Sequence, residues 1–92
     1  MANWKQQIDF TDLMEEFEKT EDAETFAKKA STRIQLFLEN HQSWADRNGI
    51  TDDLEEIAEG LISYSDDKSE IDYLLENLYD LADNSRIWIK TF

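Results

Sequence analysis

Ninety-two residues carrying 22 acids against 9 Lys and Arg, a formal charge of −13, describe one small acidic domain that disfavours nucleic acid and anionic lipid as direct ligands. A hydrophobic content of 40%, with 3 Trp, 3 Tyr and 5 Phe, separates the chain from disordered acidic sequences. The absence of cysteine excludes disulfides, thiolate nucleophiles and thiolate metal sites, and the single histidine, His41, excludes histidine triads and multi-histidine zinc centres.

No apolar run approaches the roughly 18 residues of a membrane span, and the opening MANWKQQIDF lacks the charged-then-apolar plan of a signal peptide. The expectation is a cytoplasmic protein without a membrane partner. Self-repulsion at this net charge opposes compaction, so salt is expected to stabilise the fold.

With no proline and only Gly49 and Gly60, the chain has few breakers and reads as all-α, a compact bundle of about four helices with a short extended C-terminal segment. The first helix runs from about Phe10 to Lys19, with Asp9 or Thr11 as cap and Phe10, Leu13, Met14 and Phe17 inward. The second, from about Asp22 to Asn40, buries Phe26, Ala27, Ala30, Ile34, Phe37 and Leu38. HQSWADRNGIT is the clearest break: Asn48 and Gly49 suit a left-handed helix terminus, and Thr51 is placed to cap the next helix.

That third helix spans about Asp52 to Tyr64, with Leu54, Ile57, Ala58, Leu61 and Ile62 as its core face. Ser65, Asp66 or Asp67 then caps a fourth, ending near Asn84, with Ile71, Leu74, Leu75, Leu78 and Ala82 on one stripe. In SRIWIKTF the period changes to two, predicting a strand that pairs with the NWKQQIDF end, pairs with a second copy, or covers the bundle. Trp4, Trp44 and Trp88 lie outside the helical stripes and read as staples at the ends of the bundle; the alternative is a homodimer through these Trp-rich ends.

The charge is segregated along the chain. Residues 9–24 carry eight acids and Lys19, residues 51–83 carry twelve acids and Lys68, and residues 25–50 carry Lys28, Lys29, Arg33 and Arg47 against Glu39 and Asp46. A basic second helix can therefore neutralise one flank and leave the other acidic. On the fourth helix Asp72, Glu76, Asp80 and Asp83 stack beside the apolar stripe, and on the third Asp52, Asp53, Glu55, Glu56 and Glu59 recur at similar spacings. Like charges one turn apart cost roughly 0.2–0.5 kcal/mol each, which mixing in lysine would avoid. Tyr73 projects among the acids near Glu76, Asn77 and Asp80, as exposed tyrosines do on recognition surfaces.

Carboxylates one turn apart are separated by about 5–6 Å, comparable with phosphates along a nucleic-acid strand, so these ladders suit a basic DNA-binding groove. The functional expectation is a non-enzymatic inhibitor that mimics nucleic acid and blocks a nuclease or other nucleic-acid-binding protein. In charge and size alone it is similar to small acidic proteins that bacteriophages direct against restriction, CRISPR and transcription machinery. The alternatives are an immunity protein or antitoxin covering one basic toxin, and a structural or adaptor bundle.

No catalytic residue, cofactor or resident metal is expected. His41 reads as a polar residue near a helix end, and Ser63, Ser65 and Ser69 as turn residues without a neighbouring base. The pairs Asp52/Asp53 and Asp66/Asp67 do not open an EF-hand loop: counting from Asp66, Lys68 falls on the third ligand position, and no glycine on the sixth.

Overall fold

The computed structural model describes residues 6–91. Four helices lie between two short strands, in the order β1 (Gln6–Asp9), α1 (Thr11–Thr20), α2 (Ala23–Arg47), α3 (Thr51–Ser63), α4 (Lys68–Asp83) and β2 (Ile87–Lys90). The bundle expected from the sequence is the fold observed. The strands pair in parallel, Gln6 opposite Ile87 through Asp9 opposite Lys90, so the C-terminal segment takes the first of its three options. Parallel neighbours need a long crossover, and here the whole bundle provides it. The Gln6 N–H donates to the Arg86 carbonyl (2.7 Å) and the Phe10 N–H to that of Lys90 (2.8 Å). Ile8 and Ile87 point into the core, while Gln7 and Trp88 face outward.

Within the helical layer α3 packs most extensively on α2 and then on α4. One hydrophobic cluster joins all six elements, with Phe10, Ile34, Leu54, Leu61 and Leu78 fully buried. Ser31 is a fully buried polar residue of this interior. Its hydroxyl donates to the Ala58 carbonyl (2.7 Å) and accepts from the Gln35 side-chain amide (3.0 Å), so a buried oxygen is satisfied while α2 is tied to α3.

Several local expectations change. The second helix does not stop at Asn40 but runs to Arg47 across a distortion at His41 (φ −131°, ψ 30°). Continuing it buries Ala45 fully and sets Trp44 edge-on to Phe37, ring centroids 6.0 Å apart, with the His41 ring 4.8 Å from that of Phe37. Trp44 is thus a partly buried helical residue packed on the core rather than one outside the stripes. The helix closes as foreseen on Gly49 in the left-handed region (φ 68°), with the Ile50 N–H returning to the Ala45 carbonyl (3.1 Å).

Thr51 does not cap α3. Ile50 occupies the cap position, and the Thr51 hydroxyl turns back to Asp46 Oδ1 (2.6 Å). Ile62 is not a core residue: at 47% exposure it lies beyond the arc of α3 that α2 and α4 cover. Phe10, between the candidates Asp9 and Thr11, likewise holds the cap position of α1 without a side-chain cap bond, whereas Asp67, one of its candidates, caps α4. Asp9 Oδ1 accepts the Thr11 N–H (2.9 Å), and Asp67 Oδ1 accepts those of Ser69 and Glu70. Trp4 lies outside the described residues.

Between α1 and α2 the backbone turns on Glu21, a non-glycine residue in the left-handed region (φ 54°). Crowding of its Cβ against the following carbonyl disfavours that conformation by about 1–2 kcal/mol, and glycine regains part of this after its larger loss of chain entropy. Glu21→Gly is expected to stabilise the fold by about 0.5–1 kcal/mol, read as a rise of a few degrees in Tm. An unchanged or lower Tm would mean that the Glu21 side chain contributes more to the turn than its backbone costs.

Candidate functional site

The carboxylates predicted to bind a partner are exposed on α3 and α4, and the way these helices meet decides which of them act together. Asp53, Glu56 and Gly60 recur along the flank of α3 that faces α4, where Asp53 also sits in the favourable first turn of its helix. At Gly60 a side chain would meet Leu74: a Cβ there would lie 2.9 Å from both Leu74 methyls. The missing Cβ lets the α4 leucine lie against the α3 backbone.

Above this contact runs a groove of about 390 Å³. Ile57, Leu74 and Leu81 form its floor, Asp53 and Glu56 rise from α3, and Tyr73, Asn77, Asp80 and Asn84 from α4. Tyr73 is 59% exposed. The Asn84 amide donates to the Asp80 carbonyl (2.9 Å), which orients its side chain and leaves its oxygen as an acceptor.

The two ladders are therefore joined in part. Asp53, Glu56, Asp80 and Tyr73 line one groove, whereas Asp72 lines a separate recess with Met14, Phe17 and Phe26 and pairs with Lys68 at 3.3 Å. Glu76 and Asp83 are exposed on the outer face of α4. Asp52, Glu55 and Glu59 occupy the solvent side of α3, turned from Asp53 by roughly 100° or more on the helical wheel. A helical wheel places these residues around each axis without showing which flank a neighbour covers. The groove stripe of α4 was nevertheless written in the sequence: Tyr73, Asn77, Asp80 and Asn84 follow i, i+4, i+7, i+11. Ile57, Leu74, Asn77, Leu81 and Asn84 are the lining residues that were not among the expected contacts.

Three bases of α2 are directed elsewhere. Lys29 bonds both oxygens of Glu16 (2.9 and 2.8 Å), Arg33 forks onto Asp12, and Lys28 meets Glu24 within its own helix. Among the described residues the ion pairs thus engage acids of α1, of α2 and Asp72 of α4, and none engages a carboxylate of α3, Glu76, Asp80 or Asp83. Among the described residues no lysine, arginine or histidine lines the groove. Asp80 and Asp83 also lie in the last turn of α4, which has no base and where the helix dipole disfavours anions by about 0.3–1 kcal/mol.

Among the described residues no group of three or more His, Cys, Asp and Glu side chains is arranged to hold a metal ion, and no helix is long and apolar enough to cross a membrane. No protein-family model matches the chain, and no curated protein or solved structure is significantly similar to it.

Proposed function

We propose that the protein is a non-enzymatic inhibitor that offers its α3–α4 face to the basic, nucleic-acid-binding surface of another protein. The observation that carries this reading is the placement of charge. Lys28, Lys29 and Arg33 of α2 neutralise acids of α1 and α2, while the α3 carboxylates and those at the C-terminal end of α4 are in no ion pair among the described residues. Self-repulsion and the adverse dipole at the end of α4 both work against this arrangement, and neither helps the fold. A cationic surface relieves both and gains charge-assisted hydrogen bonds. Phage counter-defence is one setting in which such a mimic acts.

The test compares the wild-type chain with the variant Asp72→Asn, Glu76→Gln, Asp80→Asn and Asp83→Asn as baits in a bacterial lysate, at two salt concentrations and with duplex DNA as competitor. The expected result is capture of nucleic-acid-binding proteins that DNA displaces and that the variant retains poorly, with a flatter salt dependence. Capture by the variant with the same salt slope would remove the acidic face from the reading. The apolar floor of the groove supports a second reading, an immunity protein shaped for one basic toxin. Its signature is a single partner that DNA does not displace.

A further inference from the structure

We infer that the groove between α3 and α4 receives an arginine side chain presented by a partner protein. This rests on the proposed function only in taking the partner to be basic. Three features define the occupant. The floor of Ile57, Leu74 and Leu81 suits the aliphatic stem of a basic side chain, which a metal ion lacks. The carboxylates of Asp53, Glu56 and Asp80, with the Asn84 oxygen, are acceptors for a group that has only donors. The exposed Tyr73 ring offers a flat face on which a planar guanidinium stacks better than a compact ammonium.

Charge complementarity points the same way. Among the described residues no base lines the groove, so nothing in that lining competes with an incoming cation. A volume of about 390 Å³ lies at the small end of ligand-sized cavities, suited to one or two side chains. A second copy of the chain is disfavoured by its own charge of −13.

The experiment is a heteronuclear NMR titration of the full chain at physiological ionic strength, using acetylated, amidated tri-arginine and tri-lysine peptides as probes. The expected result is saturable shifts concentrated on the groove residues of α3 and α4, with tri-arginine about two- to fivefold tighter than tri-lysine. Tyr73→Leu, a surface change that leaves the fold intact, should abolish that preference. Asp53→Asn combined with Asp80→Asn should weaken both peptides together.

Equal affinity for the two peptides, or shifts spread evenly over α1, α3 and α4, would overturn the inference. Lysate capture that survives both groove variants would also overturn it while leaving the acidic-face reading in place. An arginine preference that disappears in Tyr73→Leu, in a protein that captures no nucleic-acid-binding partner, would support the groove and reject the functional proposal.

Discussion

Phe10→Ala is expected to cost about 3–5 kcal/mol, a large part of the stability available to a domain of this size. Phe10 is fully buried, with its ring edge-on to Phe26 at a centroid distance of 6.3 Å. Its backbone works on both sides at once. The N–H completes the parallel ladder to Lys90, and the carbonyl accepts the first helical bond of α1 from Met14 (2.9 Å). Truncating the ring opens a cavity where the terminal sheet, α1 and α2 converge, and the backbone bonds on either side hinder its collapse. Chemical denaturation should show a lower midpoint with an unchanged slope. Trp88→Ala is the control, since that ring is 52% exposed on the outer face of the same sheet and its loss should fall within about 0.5 kcal/mol. Comparable losses at both sites would mean that the sheet is held by its outer face and not through the core.

The same residue shows what the sequence made legible. Four helices could be read because their apolar positions repeat at i, i+3, i+4 and i+7, and β2 because Ile87 and Ile89 alternate with Trp88 and Lys90. Its partner strand was less visible, as QQID contains one core residue, Ile8, and a parallel pairing across the whole chain leaves no local turn signal. The polar run His41, Gln42 and Ser43 hid the continuation of α2, although Phe37 and Trp44 stand two turns apart on one face. Ile62 looked internal because periodicity defines an apolar arc and not how much of it the neighbours cover. The acidic ladders have the same character. Their residues were identifiable on each helix, but the contact of Gly60 with Leu74, a tertiary fact, brings Asp53, Glu56 and Asp80 to one groove and turns Asp72 to the opposite flank.

Arg33→Ala is expected to destabilise the fold by about 1–2 kcal/mol, and the loss should shrink as the solution is acidified. Arg33 Nη1 donates to the Asp9 carbonyl (2.5 Å) and to Asp12 Oδ1 (3.0 Å), while Nη2 donates to Asp12 Oδ2 (2.6 Å). One guanidinium thus pins the end of β1 and the start of α1 to the middle of α2. The Arg33 side chain is 34% exposed and that of Asp12 63%, so water screens the pair and holds its value to the low end for charged hydrogen bonds. The Arg33 hydrogen bonds hold the Asp12 carboxyl below its ordinary value of 3.8, and the Asp12 carboxylate raises the guanidinium in turn.

A depressed carboxyl contributes stability that is complete above its unfolded value and is lost as pH falls through the folded one. Denaturation of wild type and Arg33→Ala should therefore differ most near neutrality and converge in the acid limb below about 3.8. Hydrogen bonding from Thr11 to Asp9, and from Thr25 to Asp22, lowers those carboxyls as well, so the wild-type acid limb includes them in the same window. A constant difference across that range would show that Arg33 acts through the Asp9 carbonyl and the packing of its stem, with little from the ion pair. The charge distribution gives this outcome a wider meaning. If the Asp12 pair carries the effect, Lys29 and Arg33 are structural partners of α1, and the carboxylates of α3 and Asp80 stay outside the ion pairs of the described residues.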